Sequence, residues 1–219
     1  MRLDVEGLEA GYAGLPVLFG IDFAIGDGEL VAMLGRNGAG KSTLLKTIIG
    51  TVPATAGAIR FEGRLINGMT PHERVLAGIA FSPEGRRVFP RLTTRENLVA
   101  GARGLPTGDV DRQAEAIYEL FPFLEARRHQ RARTLSGGEQ QMLSIGRALM
   151  SRPRLLLVEE PSQGLAPVML EQVYTALRTL SDRGFSVLVV EQYQKYRTGF
   201  ADRVLELDKG LLAPSRAYR

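Results

Sequence analysis

Short apolar runs and helix-spaced stretches take turns along most of this chain. "RLDVEG", "VLFGIDFAI", "ELVAMLG", "GAIRFEG", "GIAFS", "RLLLVEE", "SVLVVE" and "RVLELD" read as strands. They are short, rich in Val, Ile, Leu and Phe, and bounded by turn-forming residues. From residue 41 onward helical patterns lie between most of them. This is the signature of an α/β domain with a largely parallel sheet. "LLLV" and "VLVV" are apolar without alternation, as expected of strands buried on both faces. In "VMLEQVYTALRTL", Val173, Ala176, Leu177 and Leu180 fall at i, i+3, i+4 and i+7 and predict one apolar helix face. The first two or three strands have no helix between them, which predicts an antiparallel patch at one edge.

Residues 92 to 150 follow a different rhythm, helix after helix with no strand. "TTRENLVAGA" opens with Thr93 and Glu96 in capping-box spacing. "DVDRQAEAIYELF" predicts a second helix stopped by Pro122, and "GGEQQMLSIGRALM" a third. A helical lobe inserted into an α/β sheet is the expectation.

Composition narrows the chemistry. The 219 residues suit one large domain or two small ones, and 44% hydrophobic with 24% charged residues describes a globular chain. Cysteine is absent, so disulfides and thiolate metal sites are excluded, and two histidines, His72 and His129, argue against a histidine-rich zinc site. No apolar run approaches the ~18 residues of a membrane span, and "MRLDVEGLEAGY" lacks the apolar core of a signal peptide. A cytoplasmic location is expected. The net charge is +4, almost all of it carried by arginine, with lysine only at 41, 46, 195 and 209. The densest basic run, "ARRHQRAR", is short and flanked by Glu125 and Glu139, which argues against a nucleic-acid surface and predicts a solvated face more than a partner surface.

"GRNGAGKST", residues 35 to 43, fits G-x-x-x-x-G-K-[ST] and lies between the strand "ELVAML" and the helix "STLLKTII". The glycines let backbone N–H groups converge on phosphate oxygens, where the helix N-terminus adds a favourable dipole. Lys41 can reach the β- and γ-phosphates, and the Ser42 hydroxyl can ligate Mg²⁺. A glycine turn before an ordinary helix would not require this spacing. In such proteins a second buried strand ends beside the phosphate loop and carries a carboxylate for the metal. "LLLVEE" is that strand, with Glu159 toward the Mg²⁺ shell and Glu160 placed to polarise water. "LSGGEQQ", residues 135 to 141, leaves backbone N–H groups bare at Ser136, Gly137 and Gly138, a second phosphate-binding helix start.

These motifs, in this order, resemble the ATP-binding subunits of ABC transporters, and the resemblance covers essentially the whole chain. "GRNGAGKST" matches the Walker A loop, "LSGGEQQ" the signature, and "LLLVEE" the Walker B strand with its catalytic glutamate. The resemblance implies a single nucleotide-binding domain of the P-loop NTPase fold. Its α/β core would be residues 1–84 and 151–219, with the Q-loop and helical lobe at about 85–150. It implies ATP and Mg²⁺ as cofactors, with Gly35, Arg36, Asn37, Gly38, Ala39, Gly40, Lys41, Ser42 and Thr43 around the phosphates. Tyr12 would stack on adenine with Val17 nearby. Ser42, Glu84 and Glu159 would face the metal, and Glu160, Lys41 and Gln192 would serve catalysis. Two such subunits would associate head to tail, as a homodimer or with a sister subunit. Ser136, Gly137, Gly138 and Glu139 of one would then close over the ATP of the other. The helical lobe would contact a membrane permease at the inner face of the cell membrane, and the cargo would never touch this chain.

Three positions depart from the general family pattern: Glu84 where the Q-loop has glutamine, Gln192 where the switch has histidine, and Glu159 where aspartate is usual. The first two, with "GRRVFPRLT" and "GLAP", resemble the branched-chain amino acid uptake subfamily, and in particular its second, short ATP-binding subunit. Importers of urea or short amides are the neighbouring alternative, although they usually keep the Q-loop glutamine. A soluble ABC-type ATPase acting on DNA or the ribosome would carry a long coiled coil or a second such domain. A poorly hydrolysing, ATP-gated subunit is the reading that Glu159 motivates.

Overall fold

The computed structural model describes residues 1–192 and 199–213, and in it the strands sort into two sheets. One is antiparallel, in the order β2-β1-β4-β5, built from β1 (Leu3–Tyr12), β2 (Leu15–Ile25), β4 (Ala54–Phe61) and β5 (Arg64–Leu65). The other has the order β10-β9-β3-β8-β7-β6. Its strands are β3 (Leu30–Leu34), β6 (Ile79–Ser82), β7 (Leu155–Glu159), β8 (Ser186–Glu191), β9 (Arg203–Asp208) and β10 (Leu211–Leu212). All pair in parallel except β10. The antiparallel region is thus a sheet of its own, tied to the edge of the main sheet where Phe19 N–H donates to the Gly210 carbonyl at 2.9 Å. β3, one of the early strands without an intervening helix, instead lies mid-sheet between β9 and β8. All five of its residues are buried, which suits a central parallel strand.

The helices are α1 (Lys41–Ile49), α2 (Pro71–Ala77), α3 (Thr94–Ala100), α4 (Thr107–Leu120), α5 (Pro122–Ala126), α6 (Gly137–Leu149) and α7 (Pro167–Asp182). Pro122 ends α4 as its spacing predicts, and it also starts α5, because a proline at the first helical position forfeits no hydrogen bond. Thr93 and Glu96 cap α3 reciprocally. Among "ARRHQRAR", Arg127 pairs with Glu139 at 2.9 Å, and Arg131 joins Thr93 in an isolated β-bridge.

The main sheet separates two cores. Leu155 and Leu157 of β7 face one, with α1 and the antiparallel sheet; Leu156 and Val158 face the other, with α4, α6 and α7. This explains an apolar run with no alternation. Truncating any of these leucines to alanine costs about 2–5 kcal/mol, so β7 presents its terminal glutamates from a rigid support. The far end of α1 is fixed too: the buried Arg74 guanidinium donates to the Thr47 and Ile48 carbonyls at 2.7 and 2.8 Å, where a cation complements the helix dipole.

Candidate active site

The C-terminal ends of β3, β7 and β8 open onto one cleft of about 470 Å³. It is lined by Val17, by the loop from Asn37 to Thr43, and by Glu84, Glu160, Gln163 and Gln192. Segments far apart in sequence converge there because β3, β8 and β7 are parallel neighbours, so their carboxyl ends lie on one side. Sequence reasoning placed every lining residue except Gln163 in its site residues; that glutamine follows the Walker B turn.

The phosphate loop is shaped by its glycines. Gly40 is the N-cap of α1 at φ 106°, a left-handed conformation that disfavours any side chain. It supplies no side-chain cap, so the first N–H groups of α1 have no side-chain oxygen to satisfy them. A Cβ on Gly35 would meet the Leu207 carbonyl oxygen at 2.5 Å, so the loop can start only with glycine. Lys41 is buried, and its Nζ donates to the Gly35 and Arg36 carbonyls at 2.9 and 3.2 Å. The same ammonium stands 3.4 Å from Glu160 Oε1. Lys41 is therefore held over the loop by acceptors that an anionic ligand can replace.

The paired glutamates differ sharply. Glu159 ends β7, almost wholly buried, and one carboxylate oxygen accepts from the Glu84 N–H at 3.3 Å. Its other oxygen, Oε1, is buried with no hydrogen-bond partner. A buried carboxylate oxygen without a partner is costly unless a cation or its water completes it. Glu160 sits one residue on, with φ 40°, an uncommon backbone state for a non-glycine residue. Its Oε2 accepts from Gln192 Nε2 at 2.8 Å, so the residue at the switch position touches the carboxylate at the cleft. Among the described residues no three His, Cys, Asp or Glu side chains gather as a preformed metal site. The donor set of Ser42, Glu84 and Glu159 fits a hard cation held in large part by phosphate oxygens and water.

Other predicted residues stand outside the cleft lining. Tyr12 ends β1, 45% exposed, and Val17 on the neighbouring strand marks the cleft wall. Gly35 and Arg36 contribute through their carbonyls. Ser136 to Glu139 start α6 elsewhere, and here one expectation needs correction. The Ser136 hydroxyl accepts from the Glu139 N–H, and the Glu139 carboxylate takes the Ser136 N–H at 2.7 Å. The N–H groups at the start of α6 are therefore not all bare, because the "S-x-x-E" within the motif is itself a capping box. Arg86 joins this region: its guanidinium donates to the Gly164 carbonyl at 3.1 Å and lies against Gly137. It falls in "GRRVFPRLT", within the predicted Q-loop region, but is not one of the individually predicted site residues.

A glycine-rich loop carrying a buried lysine, with Glu160 and the glutamine bonded to it lining the same cleft, suits nucleotide hydrolysis; Glu159 is buried behind Glu84 and does not itself line the cleft. Residues 18–163 match the family model for ABC transporter. The chain belongs to the ABC transporter ATP-binding family. It is 44% identical over 208 residues to the high-affinity branched-chain amino acid transport ATP-binding protein BraG of Pseudomonas aeruginosa, covering 95% of this chain and 89% of that one. It is 36% identical over 207 residues to a probable branched-chain amino acid transport ATP-binding protein LivF of Archaeoglobus fulgidus, covering 94% and 88%. Among solved structures, the dimeric MJ0796, a bacterial ABC transporter cassette, superimposes with TM-score 0.85 at 25% identity, covering 99% of each chain. As a member of this family the chain is an ATPase, and its nucleotide is ATP.

Proposed function

We propose that this ATPase energises an importer of branched-chain amino acids. The supporting observation is similarity along nearly the whole chain to two ATP-binding proteins of that transport class, one bacterial and one archaeal. Glu84 and Gln192, two of the three departures from the general family pattern and the two that resemble the branched-chain subfamily, both line the cleft, which supports a part for them in hydrolysis.

In this reading Lys41 and the N–H groups of Gly38 to Thr43 hold the β- and γ-phosphates, and Tyr12 stacks on adenine beside Val17. Ser42, Glu84 and Glu159 would hold Mg²⁺ directly or through water, and the chemistry it would supply is neutralisation of charge developing on the phosphate oxygens. The unpartnered Glu159 Oε1 supports that placement. Glu160 orients and deprotonates the attacking water, and Gln192 holds the Glu160 carboxylate in register. Ser136, Gly137, Gly138 and Glu139 serve the ATP of a second subunit across a head-to-tail dimer. The helical lobe, about residues 85–150, meets membrane permease subunits at the cytoplasmic face. Among the described residues no helix is long and apolar enough to cross a membrane.

The test is uptake of labelled leucine, isoleucine and valine by the native host carrying Glu160→Gln in this gene. Loss of all three uptakes is expected. Normal uptake of all three, with loss of another solute, would reassign the cargo.

A further inference from the structure

Behind the cleft, at the end of β8, lies a carboxylate that the nucleotide reading does not use. Glu191 is fully buried and gathers four donors. Its Oε1 accepts from the Ser162 N–H at 2.9 Å and from the Tyr174 hydroxyl at 3.3 Å. Its Oε2 accepts from the Ser162 hydroxyl at 2.8 Å and from the Gln192 N–H at 3.2 Å. The main chain of the same residue reaches the phosphate loop, since Gly35 N–H donates to the Glu191 carbonyl at 3.1 Å. Burying a carboxylate is costly, and the cost is recovered only when its lone pairs are filled, as they are here.

These bonds close a ring around Glu160. Glu160 N–H donates to the Val190 carbonyl at 2.9 Å, and the Gln192 side chain holds the Glu160 carboxylate. Two residues beyond Glu160, Ser162 is clamped by both oxygens of Glu191. Glu160 has a positive φ of 40°, and such a conformation persists only where its surroundings over-determine it. The clamp on Ser162 fixes the outgoing chain, and the Gln192 contact fixes the side chain.

We infer that Glu191 is the positioning residue for hydrolysis: it holds the strained Glu160 turn and Gln192 in one geometry against the phosphate loop. The inference rests on Glu160 being the catalytic carboxylate. Phosphoryl transfer depends mainly on positioning, so loss of the clamp lowers turnover more than nucleotide affinity.

The experiment compares kcat, KM for ATP, fluorescent-nucleotide affinity and thermal stability across variants of the full chain. Glu191→Ala is expected to lower kcat about 100-fold, the scale of a small misplacement at a reacting centre, with affinity within about threefold. Glu191→Gln keeps one acceptor for Ser162 and is expected to recover much of that loss. Ser162→Ala, which leaves the buried carboxylate in place, lowers kcat by about tenfold and carries the test if Glu191→Ala does not fold. Tyr174→Phe removes a Glu191 contact outside the ring, so it lowers thermal stability with kcat within about twofold. Turnover unchanged in both Glu191→Ala and Ser162→Ala overturns the inference. So does a loss of kcat in Tyr174→Phe equal to that in Ser162→Ala, because kcat would then follow stability alone. Glu160→Gln in the same series separates the two readings. If it hydrolyses ATP normally, the catalytic assignment fails; if it is slow while the clamp variants are normal, only the clamp fails.

Discussion

α1 and α6 both begin at a "GxG" or "SGG" turn suited to phosphate, yet their N-termini are finished in opposite ways. α1 starts at a glycine with a left-handed backbone, has no side-chain cap and no acidic residue in its first turn. α6 starts at Ser136 with a complete capping box and has Glu139 in its first turn, itself paired with Arg127. The N-terminal dipole of α1 is left for an anion, whereas that of α6 is partly neutralised by the chain itself. The first terminus is prepared to bind phosphate within one subunit. The second is closed by its own serine and glutamate and has Arg86 against Gly137 and Met169 against Gly138.

The largest effect that would break this comparison concerns the α1 side. Glu160→Gln keeps the phosphate loop intact and is expected to retain ATP binding while hydrolysis falls ~10²–10⁴-fold, the scale of a lost general base. A rapid-quench ATPase assay checks it, and a normal rate would remove the carboxylate from the reaction. On the same side and of comparable size, Glu159→Ala is expected to remove Mg²⁺-dependent activity, while Glu159→Asp preserves or raises the rate by bringing the charge nearer the shorter reach usual at this position. Rates measured against Mg²⁺ concentration decide this; an alanine variant with the wild-type Mg²⁺ profile would make Glu159 a strand-end residue only.

The α6 side sharpens the comparison with a smaller effect. Ser136→Ala is expected to cost about 1 kcal/mol of stability in a denaturant titration, the usual cost of a lost N-cap. No change would mean that the cap contributes nothing in the isolated chain.

A further small effect comes from Glu191, whose pKa burial holds above the ordinary carboxylate range. The folded state therefore keeps this proton more tightly than the unfolded chain. Its contribution to stability is full below the unfolded pKa of about 4.3 and is lost as pH rises through the raised folded value. Measured from about pH 4 to 8, wild type should lose melting temperature relative to Glu191→Gln, which cannot titrate. A constant difference would contradict the shift.

Much of this was legible from pattern. β7 and β8 read as doubly buried strands because both of their faces meet apolar cores, and the face of α7 was visible in its spacing. α2 and α5, at 7 and 5 residues, span too few turns to show a period. β5 and β10 have two residues each and exist only through pairing. The self-capping of α6 could have been read from "SGGE", where serine and glutamate stand three apart. Glu191 could also have been found, since it ends "SVLVVE" as Glu159 ends "LLLVE", a carboxylate closing an apolar strand. What no local pattern carries is the crossing of Ser162, Glu191 and Gln192, which depends on β7 and β8 being parallel neighbours.

The most direct measurement is a fluorescent ATP titration of monomeric Lys41→Ala and Ser136→Ala side by side. Lys41→Ala is expected to lose affinity by at least about tenfold, because a charged hydrogen bond to phosphate contributes ~1.5–3 kcal/mol. Ser136→Ala should bind as wild type. Wild-type affinity in Lys41→Ala, or equal losses in both variants, would contradict a phosphate site built on α1 alone.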